Sequence, residues 1–523
     1  MSFTTPETLH TKTKRKPTNQ QYQEVKWPQW VLLGAYALFT GFLMRRHEPC
    51  FDEIHAWVIV LHSESLNALH ANKVYEGHPD AWYVILYAIS QFTKDFFWVQ
   101  IAHRAMIVGA MLLLVRYAPF SIVTKSLLLF SYLFAYEYAV ISRNYALGIL
   151  LLFVVCSLFR YRSRSPVYLS ICLILMVLIQ VSALTALVGC ALYGALILDS
   201  ILYNKAAIRA NWLIYGVGLL LIVAGLAFCY LSVVPPADLN LYWIDTRLTV
   251  ERFFRSATYF VNAFLQIPAD PWYFWNTALL DNIQNGSLQL LVKCMVVLGI
   301  IGLVAVPMFR SRVALLGWTA ACLAVFIMFY TRYPGIFRHH GHFFIAFVCF
   351  LWIQPQLIDY RKSITVSKKA GILFANKAWV LLLSLQVAMA FFAGYQDARR
   401  PFSMGKQVAA FILSQGYKDH FLAGYLDNIG ESVAAFIPGF RMYYPSSGRQ
   451  NNYLKNDSKV KFLTNRQLVD SVRKRTIGPV LLIVSGKMPY QEADSLNLIP
   501  VQHFVGSIVM DEQYMLYELR PEN

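Results

Sequence analysis

The sequence predicts an all-α polytopic membrane protein followed by a small α/β domain at the C-terminus. Of its 523 residues, 57% are hydrophobic and only 14% are charged, and a soluble fold cannot bury that much apolar surface. Most of the apolar residues fall into stretches of roughly 20, the length a helix needs to cross a bilayer. The last 128 residues, 396–523, instead alternate short apolar runs with helical patterns.

About eleven apolar stretches are predicted to be transmembrane helices. They lie near 29–46, 98–116, 120–138, 144–160, 166–183, 184–203, 211–232, 288–308, 313–330, 342–359 and 378–395. Lysine and arginine clusters fall on every second connection, which marks those connections as cytoplasmic; Arg45 and Arg46 break the alternation. This distribution accounts for the net charge of +17. We therefore expect a lipid bilayer as partner and no nucleic acid.

The charge pattern also assigns the remaining segments. Residues 1–28 are predicted to be a disordered, basic cytoplasmic tail, and 29–395 the transmembrane domain. The apolar segment 80–92 is short for a span, and counting it as one would invert every later loop against its charge. We therefore predict that 47–97 is one external region with juxtamembrane helices, the alternative being a short tilted span at 80–92. A second long external loop covers 233–287.

The C-terminal segment 396–523 is predicted to be an external α/β domain. Its patterns indicate helices at Met404–Gln415, Ile429–Phe436 and Arg466–Lys474, and strands at Phe421–Leu426, Met442–Tyr444, Val480–Ser485, 501–506 and 514–519. The segment contains no nucleotide-binding glycine loop, so we attach no chemistry to it from sequence.

Two adjacent carboxylates, Asp52 and Glu53, follow the first span at the start of a predicted helix. His55 lies three residues after Asp52 in the same helix. Acidic residues in a first turn also favour the helix dipole, which is the simpler explanation of the pair. The helix carries an apolar stripe, which predicts that it lies on the bilayer surface. The stripe consists of Ile54, Trp57, Val58 and Leu61.

A second polar stretch precedes the apolar segment 80–92. Gly77-His78-Pro79 breaks the chain there, so Glu76 and His78 are predicted at the external interface. Asp80 is explained equally well by a functional role and by capping of the following helix.

A third stretch, Tyr136-Glu137-Tyr138, is followed by Arg143 at the external corner of two spans. A Glu and an Arg near hydrocarbon depth are costly unless they are paired or face a polar cavity. Arg143 therefore either binds a phosphate through its planar fork of donors or forms a structural ion pair with Glu137.

The fourth stretch, Arg332–His342, contains Arg338, His339 and two further histidines before an apolar span. The histidine spacing fits no standard zinc motif, so no metal site is predicted. Arg338 and His339 are better explained as a clamp for a phosphate or another polyanion, and a basic loop at lipid headgroups is the alternative.

Together the four stretches resemble the class C glycosyltransferases (GT-C) that use polyprenyl-phosphate sugars, which include the protein O-mannosyltransferases and the lipid A aminoarabinose transferases. Those enzymes carry an acidic motif in the first external loop, a proline-containing stretch before the next helix and a Ser-Arg or Gln-Arg element at a later corner. The matching residues here, in order, are Asp52–Glu53, Gly77-His78-Pro79 and Ser142–Arg143. The usual paired prolines are reduced to His78-Pro79, and the 233–287 loop is particular to this chain.

The resemblance implies an inverting hexosyl- or pentosyltransferase on the external face of a bacterial inner membrane, with a cytoplasmic N-terminus. Its donor would be a sugar on polyprenyl phosphate, and its acceptor a hydroxyl of a glycan, lipid or protein. Asp52 would be the general base. Glu53 would orient the acceptor or help to hold a divalent cation, Mg or Mn, if one is used.

The resemblance also implies the binding residues. Arg143, Arg338 and His339 would hold the donor phosphate. The expected substrate-binding residues are His55, Glu76, His78, Tyr136, Glu137 and Tyr138. Aromatic residues of the long loop either stack on sugar faces or form an interfacial belt; they include Trp243, Trp272, Tyr273 and Trp275.

A transporter or flippase for a lipid-linked or anionic substrate is the alternative function. It predicts internal repeats and paired helices broken by Gly or Pro, and the sequence shows no repeat. A non-catalytic scaffold is a second alternative, but it leaves Asp52, Arg143 and the histidine loop unexplained.

Overall fold

The computed structural model of the protein describes residues 27–240, 247–360, 366–425, 427–437, 439, 441–451 and 453–520. The predicted N-terminal tail lies outside these residues except for its last two positions. Trp243 of the long loop also lies outside them.

The described part of the chain before residue 400 is built from α-helices. They are α1 Trp27–Arg46, α2 Phe51–Leu61, α3 Leu66–Asn72, α4 Ala81–Ser90, α5 Phe97–Tyr117, α6 Ile122–Leu129, α7 Tyr145–Leu158, α8 Ser165–Ile179, α9 Ala183–Tyr203, α10 Lys205–Ala210, α11 Trp212–Val233, α12 Val250–Phe264, α13 Gly286–Met308, α14 Arg312–Thr331, α15 Phe337–His340, α16 His342–Ile353 and α17 Val366–Arg399.

Six of the described helices are long and apolar enough to cross a membrane: α5, α9, α11, α13, α14 and the Asn376–Arg399 part of α17. α4, α7 and α8 are shorter apolar helices, and each predicted span contains all or part of at least one helix. At about 1.5 Å per residue, the ten residues of α4 cover roughly half of the hydrocarbon core. The structure confirms a largely helical integral membrane protein with a small C-terminal sheet domain.

Two predicted spans are less regular than expected. Residues 120–138 form α6 and then a separate π-helical turn, Leu133–Glu137; such turns are frequent at functional sites. The last span before α17 was predicted to reach residue 359. Its helix instead ends at Ile353, two residues before Pro355, which lacks the N–H needed to continue the helical hydrogen bonds.

The strands of the C-terminal domain are β1 Phe421–Tyr425, β2 Met442–Tyr444, β3 Arg449–Asn451, β4 Val480–Ser485, β5 Leu498–Phe504 and β6 Tyr514–Leu519, and its helices are α18 Gly405–Ser414, α19 Asp427–Ala434, α20 Asn465–Arg473 and α21 Tyr490–Ser495. The six strands form a mixed sheet in the order β3-β2-β1-β4-β6-β5. β1 is parallel to β2 and β4, and the other neighbours are antiparallel. Separate apolar clusters cover the two faces of the sheet.

The apolar stripe of α2, the helix that carries the acidic pair, is covered by protein and not by the bilayer as predicted. The helix residues from Glu53 to Val60 are all buried within the protein. The apolar stripe joins a cluster with Trp82 of α4, and Phe436 of the C-terminal domain packs against that cluster. The prediction was wrong because an apolar stripe requires an apolar cover and does not say whether lipid or protein supplies it.

Candidate active site

Asp52 lies in the first turn of α2, next to two arginines from distant parts of the chain. Nη2 of Arg338 donates to the Asp52 carboxylate, and Nη1 of Arg143 donates to the Asp52 backbone carbonyl. The Asp52 side chain is 32% exposed to solvent, whereas the Arg338 side chain is 4% exposed. The carboxylate is therefore accessible although the cations around it are buried.

The two arginines set the charge state of Asp52. Burial disfavours the carboxylate, but the positive charges of Arg338 and then Arg143 outweigh it and hold the pKa of Asp52 below its usual value. Asp52 is therefore ionised at neutral pH, as a proton acceptor has to be.

Not all N–H groups of the two guanidinium groups are hydrogen-bonded within the described residues. Nε of Arg143 and both Nε and Nη1 of Arg338 are buried without a hydrogen-bond partner among the described residues. The hydroxyl of Tyr145, the first residue of α7, is buried and unpartnered in the same way. An unmet buried donor costs about 1–3 kcal/mol, and more when it is charged. A ligand with anionic oxygens would satisfy these donors.

His78 and His339, which lie beside these arginines, are neutral. Burial, and then the charge of Arg143, lower the pKa of His78 to about 3, and Nε2 of His78 lies 3.4 Å from Nη2 of Arg143. Burial and the charge of Arg338 likewise hold the pKa of His339 well below its usual value. Nδ1 of His339 accepts from the backbone N–H of Ile336 at 3.0 Å. Arg143 and Arg338 are thus the permanent cations beside Asp52.

Both carboxylate oxygens of Glu53 are engaged by other groups of the protein. It accepts from the backbone N–H groups of Ser142 at 2.6 Å and Cys50 at 3.1 Å, and contacts Nε2 of His47 at 2.9 Å. Nδ1 of His47 lies 2.8 Å from Asp397 at the end of α17, and Tyr136 Oη donates to the same Asp397 oxygen at 3.0 Å. Glu53 thereby joins α2 to the corner that carries Arg143.

This placement changes the predicted role of Glu53. Burial opposes its ionisation, but His47 and the hydrogen bonds hold the pKa of Glu53 below its usual value. His47 lies between two carboxylates, which outweigh burial and keep its pKa well above the usual value. Both oxygens of Glu53 thus accept bonds from the protein, and these bonds hold α2 against the corner at Ser142.

His55 and Tyr138, two of the predicted substrate-binding residues, are held by partners from other parts of the chain. His55 lies between Glu76 at 2.6 Å and Glu431 of α19 at 2.9 Å. Tyr138 Oη donates to the Arg338 carbonyl at 2.5 Å. A Cβ at Gly341 would lie 2.2 Å from that hydroxyl, so the close approach requires glycine.

Glu137 does not form the ion pair with Arg143 that was considered as an alternative. Its Oε2 accepts from Tyr132 Oη at 3.1 Å and from Trp275 Nε1 at 3.2 Å. The Arg338 guanidinium lies 5.6 Å from the centre of the Trp275 ring, and Arg400 lies 3.8 Å from that of Trp272. Both tryptophans therefore support arginines, and sugar stacking remains a prediction.

Asp80 contacts Nζ of the buried Lys73 at 2.6 Å and does not cap α4 through its side chain. Lys73 also donates to the His78 carbonyl at 2.9 Å. The pair therefore fixes the turn that carries His78.

The acidic pair does not fit a divalent cation. Such a cation needs several convergent oxygen ligands, but Asp52 lies beside two arginines and the oxygens of Glu53 are occupied. Within the described ranges, no group of three or more His, Cys, Asp and Glu side chains could hold a metal ion.

Oε1 of Glu512, in the C-terminal domain, accepts from the backbone N–H of Phe51, next to Asp52, at 2.8 Å. Four residues of the site were not identified from the sequence: His47, Asp397, Glu431 and Glu512. His47 and Asp397 carried a usable signal, because ionisable residues at the ends of membrane helices are costly and tend to be paired. Glu431 and Glu512 carried none, since carboxylates in a soluble domain are ordinary.

Glu53→Gln should destabilise the protein. The substitution removes one of the two counter-charges of His47, and breaking a buried ion pair typically costs about 3–5 kcal/mol. Thermal unfolding in detergent, followed by tryptophan fluorescence, should show a lower midpoint. Glu48→Gln is the matched control, because part-exposed Glu48 contacts Gln407 instead. An unchanged midpoint with lost activity would make Glu53 a reacting group after all.

No protein-family model and no curated protein matches the sequence. Among solved structures, the chain is similar to the crystal structure of ArnT from Cupriavidus metallidurans bound to undecaprenyl phosphate. The TM-score is 0.47 and the sequence identity 12%, over 95% of this chain and 100% of that chain. A likeness of this degree does not assign an activity.

Proposed function

We propose that the protein is a membrane glycosyltransferase that moves a sugar from a polyprenyl-phosphate donor to an acceptor hydroxyl. The observation that carries the proposal is the surroundings of Asp52. A part-exposed carboxylate lies against two buried guanidinium groups, and three of their N–H groups have no partner among the described residues. A base beside a set of unmet cationic donors suits a reaction in which a hydroxyl is deprotonated and a phosphate leaves.

In the proposed reaction Asp52 accepts the proton of the acceptor hydroxyl as its oxygen attacks the anomeric carbon. The bond between that carbon and the phosphate oxygen breaks, and its electron pair leaves with the polyprenyl phosphate. Arg143 and Arg338 stabilise the charge that develops on the leaving oxygen. Attack opposite the leaving group inverts the anomeric centre.

Arg338 couples donor binding to the strength of the base. Without a donor, its charge stabilises the Asp52 carboxylate. A phosphate that takes up the free donors of Arg338 offsets part of this charge, which raises the proton affinity of Asp52. The base would then be strongest when the donor is in place.

We infer that the site faces the periplasm of a bacterial inner membrane, with the N-terminus cytoplasmic. The C-terminal domain contacts α2 directly through Glu431 and Glu512, so the domain and the site share one side of the membrane. The basic loops predicted to be cytoplasmic lie at the other ends of the spans. The acceptor is a glycan, lipid or protein that reaches this side.

The test begins with a strain that lacks the gene. Its surface glycans and lipids are compared with those of the parent strain to identify the missing sugar. The purified protein in nanodiscs is then incubated with that sugar on polyprenyl phosphate and with the acceptor. We expect transfer with inversion. An unchanged cell envelope, together with no transfer by the purified protein, would refute the proposal.

A further inference from the structure

The C-terminal domain contacts the start of the helix that carries Asp52. Oε1 of Glu512 accepts a hydrogen bond from the backbone N–H of Phe51, at 2.8 Å. Phe51 is the first residue of α2 and directly precedes Asp52. Glu512 belongs to the 3-10 turn Met510–Glu512, which leads into β6, and is 4% exposed.

A second contact lies one turn further along the same helix. Both carboxylate oxygens of Glu431 lie 2.9 Å from Nδ1 of His55. Glu431 is fully buried in α19, and one of its oxygens also accepts from the backbone N–H of Leu454 at 3.1 Å. On its other side, Nε2 of His55 contacts Glu76 at 2.6 Å.

We propose that the C-terminal domain is an integral part of the active site, in which Glu512 and Glu431 are positioning residues for Asp52. The inference rests on the proposed transferase function. Residues 51 and 55 flank Asp52 along the helix, so anchors at both positions fix the translation and the axial rotation of α2. Catalytic groups have to be held within about 0.5 Å of the productive geometry, and supporting residues achieve this.

The helix needs such anchors for a physical reason. α2 has 11 residues, fewer than an isolated helix needs to be stable in water. The first N–H groups of any helix also lack partners within it. Glu53 satisfies the N–H of Cys50, but the N–H of Phe51 depends on Glu512, 461 residues away in the chain.

The charges around His55 give the second anchor a measurable signature. Burial disfavours the imidazolium, but Glu431 and then Glu76 outweigh it and keep the pKa of His55 well above its usual value. Asp52 lies on the same helix, and His78 and Arg143 lie beyond Glu76. Glu431→Gln removes one of the two direct counter-charges. His55 should therefore lose its proton at a lower pH than in the wild type.

The experiment uses the full-length protein in nanodiscs and two independent measurements. Hydrogen exchange of residues 51–61 reports on the anchoring of α2, and transfer of the sugar identified in the deletion strain reports on the reaction. Glu512→Ala should speed exchange about fivefold, the equivalent of the roughly 1 kcal/mol of a lost helix cap, and should lower kcat more than it raises KM.

Glu512→Gln should restore most of the loss, because its side-chain carbonyl also accepts from the Phe51 N–H. Burial raises the pKa of Glu512 to about 7, so a neutral side chain is tolerated there. In Glu431→Gln, His55 loses its proton at a lower pH, so the alkaline limit of transfer should also move to lower pH. Glu518→Gln, on β6 of the same domain, is the matched control and should change neither measurement.

Unchanged exchange and transfer in Glu512→Ala, or an unmoved alkaline limit in Glu431→Gln, would overturn the inference. If Glu512→Ala does not fold, Glu431→Gln alone decides it. A wild-type protein without transfer would refute the proposed function, whereas faster exchange confined to α2 in Glu512→Ala would still demonstrate the anchor. The two failures are thus distinguishable.

Discussion

Asp52→Asn is expected to lower the rate of sugar transfer at least a hundredfold. General-base catalysis contributes about 10²–10⁴-fold, and an amide of the same shape cannot accept the proton of the acceptor hydroxyl. The variant should still bind the donor, because Arg143 and Arg338 keep their unmet N–H groups. Single-turnover transfer measured with saturating donor separates the lost chemical step from binding.

Asp95→Asn is the matched control for this substitution. Asp95 is an exposed carboxylate of the same 47–97 region, and its Oδ1 accepts from the backbone N–H of Phe97 at 3.0 Å, which an asparagine oxygen can also do. Its transfer rate should equal that of the wild type. Near-normal turnover by well-folded Asp52→Asn would exclude Asp52 as the base.

The membrane helices could be predicted from the sequence because their cause is local. A hydrocarbon core sets the length of an apolar stretch, so the span expected at 98–116 is the helix Phe97–Tyr117. Strand β4 was predicted with its observed bounds, Val480–Ser485, because an apolar run of this length, bounded by turn residues, is typical of a strand and short for a helix. The short strand Arg449–Asn451 carried no such pattern and was missed.

The convergence on Asp52 was partly predictable for a different reason. Alternation of basic loops assigned Asp52, Arg143 and Arg338 to one side of the membrane, and the structure brings these three residues together. The sequence could not predict which of these side chains contact one another. Glu53 and Asp397 share His47 although 344 positions separate them, and periodicity carries no information about such pairs.

The wrong expectation for α2 has the same origin. The stripe of Ile54, Trp57 and Val58 was correctly recognised as apolar, but the partner that covers it comes from α4 and the C-terminal domain. The sequence of one helix specifies how much apolar surface must be covered. The tertiary arrangement decides what covers it, and here that arrangement brings Glu431 and Glu512 to the site.

Arg338→Gln is expected to lower transfer about a hundredfold at neutral pH and to move its acid limit upward. Losing one donor to a developing negative charge typically costs 10²–10³-fold. The pH effect follows from Asp52, whose pKa Arg338 holds below its usual value against burial. A base acts only when it is ionised, so transfer fails as the pH falls through this pKa. Without Arg338, burial raises the pKa of Asp52, and the failure begins at a higher pH.

The pH profile separates this role from a merely structural one. Arg332→Gln removes an exposed arginine from the same loop and should leave both the rate and the acid limit unchanged. Arg143 still lies beside Asp52 in Arg338→Gln and opposes the shift, so the acid limit should move further when Arg143 is also replaced by Gln. A reduced rate with an unmoved acid limit would mean that Arg338 binds the donor without controlling the base. A shifted acid limit without weaker donor binding would mean that Arg338 controls the base without binding the donor. Either result would refute the coupling between donor binding and the strength of the base.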